Sequence, residues 1–357
     1  MNLKAIDHLE FYVEDARKAA HFYSSTFGFR VLGESGPETG VVGRRSFLLQ
    51  LGTMRMVVTE ALTAHDSAAE YVARHGEGVK DIALLTQNVE EAFEEAVRGG
   101  ARPVSEPTVL MGEVSRLFRA TVAAPMGDSL HTFVQSEGRE SVFMPPLFRE
   151  AQGFTTPDVA PFVGLDHLAI CLAPGTLAKT SRFYQEVFGF TETHEENVRS
   201  EYSGMNSKVV QNANGRIVFP MMEPAPDCKR RSQIEEFLEF HGGAGVQHLA
   251  LLSGDIAASI RALRTRNVNF LDIPGTYYDV LEERVGKLEV EKSLLREFGI
   301  LADRDASGLL LQIFTRSMHS RRTLFFEVVQ RLNARGFGGG NIRALYEAKE
   351  RDQARSA

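Results

Sequence analysis

The chain repeats one pattern of apolar and polar positions in its two halves. Residues 6–29, "IDHLEFYVEDARKAAHFYSSTFGF", and residues 165–190, "LDHLAICLAPGTLAKTSRFYQEVFGF", both run from an apolar-Asp-His-Leu start through strand-like alternation into helical spacing. Residues 78–104 and 245–271 form a second pair with the same change of period. The chain is therefore predicted to be a tandem duplication, in which each half contains two units of a strand, a helix and further strands.

Four such units predict an α+β fold in two domains. At about 150 residues per domain, the 357 residues of the chain are enough for two apolar cores. Residues 136–163 carry four prolines and little periodicity, which is typical of a linker. We place the first domain at residues 1–150 and the second at residues 158–357.

The composition narrows the possible partners and locations. A net charge of −7 leaves no surplus of cations to neutralise phosphates, which argues against nucleic-acid binding. The two cysteines, Cys171 and Cys228, form no paired motif, so neither a disulfide framework nor a thiolate zinc site is indicated. No apolar run reaches the length of about 18 residues that a membrane helix needs, and the start of the chain lacks a signal-peptide pattern. These features predict a cytoplasmic protein that does not bind membranes.

Three polar side chains stand in otherwise apolar strands of the second half. They are His167 in "LDHLAICL", His248 in "VQHLALL" and Glu327 in "LFFEVVQ". A lone histidine in a strand is more often a hydrogen-bonded core residue than a ligand, but a buried unpaired carboxylate needs a cation or a proton. Together, two imidazoles and one carboxylate match the facial triad of non-haem Fe(II) oxygenases. The three residues therefore predict a metal site.

The first half keeps one of these three side chains. His8 aligns with the first histidine, whereas Asp81 and Thr132 stand in place of the second histidine and the glutamate. We therefore expect the first domain to bind no catalytic metal and to support the second domain or an oligomer interface.

The order of several further motifs resembles one known family. These motifs include "EYSGMNSKVVQNANGRIVFPMMEPAP", "PGTYYDVLEERVG", "LADRDASGLLLQIFTR" and "GFGGGNIRALYEA". They are similar to the 4-hydroxyphenylpyruvate dioxygenases, a family of the vicinal-oxygen-chelate superfamily that includes 4-hydroxymandelate synthases. The resemblance covers essentially the whole chain and is strongest from residue 164 onward.

The resemblance implies a fold and a chemistry. Paired βαβββ modules are expected to form two open barrels. The helical spacing of apolar positions in residues 341–351, after a glycine-rich hinge, separately predicts a C-terminal helix that covers the second barrel. By this resemblance, His167, His248 and Glu327 are expected to bind one Fe(II) per chain. The 2-oxo acid of 4-hydroxyphenylpyruvate is then expected to chelate this iron, with O2 as the co-substrate. A homo-oligomer is also expected, with a dimer favoured.

The family motifs also indicate which residues meet the substrate. Polar members would orient the phenol and the 2-oxo acid, and aromatic members would form walls for the ring. The positions that match are Ser207, Met222, Gln233, Gln247, Gln312, Phe314, Phe325 and Phe337.

The motifs near the C-terminus favour the branch that forms 4-hydroxymandelate. Ile342 and Tyr346 stand where homogentisate-forming members usually have phenylalanine, and Met222 stands where they have asparagine. We expect Ile342 and Tyr346 to be the catalytic residues that determine the product. Pro220 is instead typical of the homogentisate branch. The alternatives are a homogentisate-forming dioxygenase, an extradiol catechol dioxygenase and a metal-free binding protein of the same superfamily.

Overall fold

The computed structural model describes most of the chain. Its described residues are 1–112, 114–138, 143–144, 147–155, 161–199, 204–226, 228, 230–341 and 343–345. Within this part of the chain, no helix is long and apolar enough to span a membrane.

The first half contains two βαβββ units, as the repeat predicts. The first unit comprises β1 (Leu3–Tyr12), α1 (Ala16–Phe27), β2 (Arg30–Ser35), β3 (Arg44–Leu51) and β4 (Met54–Ala61). Helix α2 (Ser67–His75) leads to the second unit, which comprises β5 (Gly78–Thr86), α3 (Val89–Arg98), β6 (Pro103–Met111), β7 (Ser115–Ala123) and β8 (Leu130–Gly138). The short strand β9 (Arg149–Glu150) then pairs with β2.

The second half repeats this plan with one insertion. Its first unit comprises β10 (Phe162–Cys171), α4 (Leu177–Phe188), β11 (Thr191–Arg199), β12 (Gly204–Gln211) and β13 (Val218–Pro224), followed by the connecting helix α5 (Gln233–His241). Its second unit begins with β14 (Gly245–Ser253) and α6 (Ile256–Thr265) and ends with β15 (Leu301–Arg304), β16 (Leu309–Phe314) and β17 (Phe325–Leu332). Three short helices are inserted between α6 and β15: α7 (Gly275–Asp279), α8 (Leu281–Val285) and α9 (Lys292–Phe298).

Each half forms one curled sheet in which the two units join through their first strands. The first sheet has the order β6-β7-β8-β5-β1-β4-β3-β2-β9, and the second has the order β11-β12-β13-β10-β14-β17-β16-β15. In both sheets the joined strands, β1 with β5 and β10 with β14, are antiparallel. The predicted α+β fold of tandem modules is confirmed. The exact domain boundaries stay a prediction.

The repeated Phe-Gly-Phe motif ends the first helix of each half. Gly28 and Gly189 take positive φ values of 86° and 70°, which suits glycine at a helix C-cap. The flanking phenylalanines are buried in the apolar core between sheet and helices: Phe27, Phe29, Phe188 and Phe190. The motif therefore stops the helix and fills the core at the same point.

The two halves pack against each other through equivalent positions. Phe27 on α1 lies 4.4 Å, between ring centroids, from Phe326 on β17 of the other half. In return, Phe188 on α4 lies 5.2 Å from His131 on β8, the position that corresponds to Phe326. The His131 Nε2 atom also lies 2.9 Å from the Tyr184 hydroxyl. Each half thus supplies part of the other's core.

A close backbone approach also joins the halves and makes a stability prediction. Gly52 has a φ of 56°, and a Cβ there would collide with the Val163 carbonyl group, while Thr53 N donates to Val163 O at 2.8 Å. We expect Gly52→Ala to lower the free energy of unfolding by about 2 to 4 kcal/mol, because it combines backbone strain with overpacking. Chemical denaturation measures this loss.

Gly40→Ala is the matched control. Gly40 has a φ of 84° and open space around the added Cβ, so the substitution introduces the backbone strain alone. Its expected cost is about 1 to 2 kcal/mol. Equal losses in the two variants would show that the contact with Val163 contributes nothing.

Candidate metal centre

Three neighbouring strands of the second sheet bring the predicted ligands together. His167 lies on β10, His248 on β14 and Glu327 on β17, and all three side chains are buried. Period-2 alternation turns them to the inner face of the barrel, while their strand neighbours Leu168 and Phe326 enter the helix-side core. Residues 81 and 79 positions apart thus become adjacent because the modules repeat.

The ligand atoms are close enough to share one metal ion. Glu327 Oε2 lies 3.2 Å from His167 Nε2 and 3.4 Å from His248 Nε2. One atom from each residue fits within 4.8 Å of the other two, and this is the one such group among the described residues. Two imidazole nitrogens and one carboxylate oxygen suit Fe(II) and leave coordination positions for substrate.

Outer partners fix the orientation of each histidine. His167 Nδ1 lies 2.7 Å from Asp166 Oδ1, and because the carboxylate only accepts, Nδ1 carries the proton and Nε2 faces the centre. Arg331 in turn holds Asp166 with two bonds of 2.7 Å. His248 Nδ1 donates in the same way to Gln247 Oε1 at 3.2 Å. The Nε2 atom of each ring is therefore turned towards the centre.

The charges of the centre favour a cation. Burial raises the pKa of Glu327, but hydrogen bonds and charge interactions with His167 and His248 outweigh it and lower the pKa to about 2. Burial lowers the pKa of His167, yet its bonds to Asp166 and Glu327 raise the pKa to about 9. Burial lowers the pKa of His248 despite the nearby carboxylate. The carboxylate thus stays ionised and attracts positive charge to this point.

The equivalent positions of the first half are arranged differently. Strand register places His8, Asp81 and Thr132 where the second half has its three ligands. Asp81 accepts from Thr132 N at 3.0 Å and from the Thr132 hydroxyl, and burial raises its pKa to about 6. The carboxylate is therefore satisfied within the protein. This half also has a cavity of about 1030 Å³, so open space alone does not mark the metal centre.

The comparisons with known proteins agree with this architecture. The family model described as "Glyoxalase/Bleomycin resistance protein/Dioxygenase superfamily" matches residues 5–116 and 164–312. The 4-hydroxyphenylpyruvate dioxygenase of Dictyostelium discoideum is 36% identical over 98% of this chain and 98% of its own. That of Neurospora crassa is 33% identical over 99% and 92%. The chain belongs to the 4-hydroxyphenylpyruvate dioxygenase family.

A solved structure within this family is also similar over the full length. It is a triple mutant of 4-hydroxymandelate synthase from Streptomyces coelicolor, which is 40% identical and superposes with a TM-score of 0.87. The alignment covers 99% of this chain and 100% of that one. The resemblance inferred from the sequence motifs is thereby confirmed.

Three of the predicted family pocket residues surround the ligands with aromatic rings. Phe325 stacks on His248 with 4.9 Å between ring centroids, and Phe314 meets the same imidazole edge-on at 5.8 Å. Phe337 meets His167 edge-on at 5.5 Å. Aromatic ring surface therefore lies beside both histidines of the candidate centre.

The polar pocket residues predicted from the family motifs differ in their hydrogen-bond partners. Gln247 and Gln312 are buried and bonded to His248 and Glu327 respectively, the latter with a distance of 3.0 Å. Ser207 is buried on β12, where its hydroxyl donates to the backbone of Glu196 at 3.2 Å. Substrate contacts for these side chains stay predictions.

Met222, Gln233 and two C-terminal positions complete the predicted set. Met222 packs inside the barrel beside Ala169, while Gln233, the first residue of α5, has an exposed side chain. Ile342 and Tyr346 lie outside the described residues.

Asn341 is a further polar residue near the centre that no sequence pattern pointed to. This buried side chain donates from Nδ2 to Gln312 Oε1 at 2.9 Å, one residue beyond the glycine-rich run. Its only signal in the sequence is its place in "GFGGGN".

Loss of any one ligand should remove iron binding. We expect His167→Ala, His248→Ala and Glu327→Ala each to weaken Fe(II) binding by more than about 100-fold, since even outer-shell changes cost 10- to 100-fold in metal affinity. Anaerobic titration of the purified variants measures the affinity, and circular dichroism checks the fold.

His8→Ala is the control for this experiment. His8 occupies the equivalent strand position beside Asp7 but belongs to no group of potential ligands among the described residues, so the variant should bind iron as the wild type does. Iron loss in His8→Ala would contradict the assignment of the centre to the second half alone.

Proposed function

We propose that this protein is a 4-hydroxymandelate synthase. It would convert 4-hydroxyphenylpyruvate and O2 into 4-hydroxymandelate and CO2, with one oxygen atom entering the new carboxylate and the other the benzylic hydroxyl. The observation that carries the proposal is the buried His167, His248 and Glu327 cluster in a chain 40% identical to a 4-hydroxymandelate synthase. Consistent with this activity, we expect a cytoplasmic enzyme.

The protein's part in this chemistry is to hold and shield the reacting groups. When bound, Fe(II), one per chain, would supply the redox chemistry that lets O2 react with an organic acid. His167, His248 and Glu327 would hold the ion and would leave coordination positions for the 2-oxo acid. Because Asp166 and Gln247 preset both imidazoles, the centre needs little rearrangement to bind the metal.

The aromatic walls support the choice of an arylpyruvate as substrate. Phe314, Phe325 and Phe337 place aromatic rings against His167 and His248, and this apolar surface favours a flat ring. We assign Ser207 and Gln233 to the polar ends of the substrate, as the family motifs suggest. Met222 provides an apolar wall beside Ala169.

The product depends on which carbon of the substrate is oxidised. Hydroxylation at the benzylic carbon gives 4-hydroxymandelate, whereas attack on the ring with side-chain migration gives homogentisate. Ile342, Tyr346 and Met222 replace residues that are usual in the homogentisate branch, which supports the first product. We propose that Ile342 and Tyr346 determine the pose of the ring.

Formation of homogentisate is the second candidate function. It is favoured by the curated relatives, which are named 4-hydroxyphenylpyruvate dioxygenases and are up to 36% identical over nearly the whole chain. Pro220 also matches that branch. Both candidates share substrate, metal and ligands, so a single product analysis separates them.

The first test is aerobic turnover of 4-hydroxyphenylpyruvate with Fe(II) and a reductant. We expect 4-hydroxymandelate as the main product, detected by chromatography and mass spectrometry. Homogentisate as the main product would select the second candidate. Oxygen uptake with catechols but not with arylpyruvates would select an extradiol dioxygenase, and absence of both iron binding and oxygen uptake would indicate a binding protein.

A single substitution should change the product ratio. Ile342→Phe is expected to crowd the pose that presents the benzylic carbon and to shift flux towards homogentisate or uncoupled 4-hydroxyphenylacetate. A tenfold change in ratio requires only about 1.4 kcal/mol between competing barriers. Arg343→Phe, which adds the same ring at an exposed neighbouring position, should leave the ratio unchanged. An unchanged ratio in Ile342→Phe would remove this residue from product control.

A further inference from the structure

A chain of buried hydrogen bonds leads from the metal centre to two side chains outside it. Gln312 Nε2 donates to Glu327 Oε1 at 3.0 Å, and Gln312 Oε1 accepts from Asn341 Nδ2 at 2.9 Å. Asn341 Oδ1 accepts in turn from the Tyr277 hydroxyl at 2.6 Å and from Arg284 Nη2 at 3.0 Å. Glu327 thus faces the histidines with Oε2, while this relay holds Oε1.

The far end of the relay is fixed to rigid backbone. Arg284 Nη2 donates to Ala302 O at 2.6 Å and to the Tyr277 hydroxyl at 2.7 Å, and that hydroxyl also accepts from Ala302 N at 2.9 Å. Arg284 Nη1 binds Asp303 Oδ1 at 3.1 Å. Tyr277 on α7 and Arg284 on α8 therefore hydrogen-bond to strand β15 as well as to Asn341.

The glycine-rich segment lies directly on these side chains. A Cβ at Gly338, whose φ is 73°, would collide with the Gln312 amide, and a Cβ at Gly340 would press on the Asp303 carboxylate. Gly340 N also donates to Asp303 Oδ2 at 3.0 Å. From the sequence alone, these glycines are expected to form a hinge. In the structure they allow the segment to approach the relay closely.

The same segment carries an aromatic wall of the centre. Phe337 immediately precedes Gly338, and its ring lies edge-on to His167 and 5.2 Å below the Arg331 guanidinium. A shift of Asn341 would therefore move the Gln312 amide, which donates to Glu327. It would also move the backbone that positions Phe337.

We propose that Tyr277 and Arg284 are positioning residues that act through Asn341. They fix the Glu327 carboxylate through Gln312, and they lock the segment that holds Phe337 against His167. Neither side chain contacts the three ligands. The part of the proposal that concerns Glu327 rests on the proposed metal-binding function, whereas the lock on residues 336–341 does not depend on it.

Tyr277→Phe tests the proposal, and Tyr278→Phe is its matched control. Both tyrosines lie on α7, both are 1% exposed, and both substitutions remove only a hydroxyl. The Tyr278 hydroxyl has no hydrogen-bond partner among the described residues, so its removal should be neutral or slightly stabilising. Any difference between the two variants therefore reports the relay.

Hydrogen–deuterium exchange on the metal-free protein measures how firmly residues 336–341 are held. In Tyr277→Phe, we expect the backbone of residues 333–341 to exchange about fivefold faster, the factor for losing roughly one net hydrogen bond. Tyr278→Phe should match the wild type. Equal exchange in the two variants would overturn the proposed lock.

Co(II) loading reports the metal side. The visible absorption bands of bound Co(II) should change in Tyr277→Phe. In turnover with Fe(II), this variant should form less product per O2 consumed, and its kcat should fall by a larger factor than its KM rises. If the bands are unchanged while exchange increases, the proposed link to Glu327 is wrong. If the wild type takes up no Co(II), the proposed function fails, and the exchange experiment still decides the lock.

Arg284→Lys provides a second variant if Tyr277→Phe does not fold. Lysine keeps the charge but lacks the planar fork that reaches Asp303, Ala302 and Asn341 together. We expect the same direction of change in exchange and in the Co(II) bands. Wild-type behaviour in both measurements would overturn the part assigned to Arg284.

Discussion

Burial of the Glu327 carboxylate is the constraint on which the second half depends. The side chain is only 2% exposed, so its charge must be compensated by protein groups or by a cation. His167 and His248 approach one oxygen, and Gln312 donates to the other. The polar atoms of these side chains that do not face Glu327 must be hydrogen-bonded in turn. The residues that supply or extend these further hydrogen bonds are Asp166, Arg331, Asn341, Tyr277 and Arg284. A buried polar network is stable only when it is complete, so the ligands and the C-terminal segment form one assembly.

Along each duplicated strand, side chains that form the core alternate with side chains that face the barrel interior. Side chains that face the helices keep the core in both halves, as Phe326 and His131 do at equivalent positions. Side chains that face the barrel interior diverge: Glu327 of the second half corresponds to Thr132 of the first. Thr132 hydrogen-bonds to Asp81 directly, so this carboxylate of the first half is satisfied by a protein group.

The sequence predicted the repeat, the fold class and the ligand set because all three are periodic. The histidines inside the apolar strands β10 and β14, and the carboxylate inside the apolar strand β17, are visible in the order of residues alone. The relay is different, because Tyr277, Asn341 and Gln312 meet only after α7, β16 and the C-terminal segment have packed together. Nothing in the spacing of "GTYYD" and "GGGN" tells which tyrosine bonds to the asparagine, or that the glycines are needed for contact. The assignment of Gln233 to the substrate rests on the family motif, since the structure shows its side chain exposed at the start of α5.

The exchanged contacts between the halves have a consequence for synthesis on the ribosome. The first half is translated first, and its α1 helix then presents Tyr23 and Phe27 without Phe326, against which both rings pack in the finished protein. The His131 side chain of this half likewise lacks its contacts with Tyr184 and Phe188 until the second half has been synthesised. The nascent first half therefore displays an apolar face until the last strand of the barrel, β17, has emerged from the exit tunnel. During that interval this face is where a chaperone would bind and where two nascent chains would aggregate.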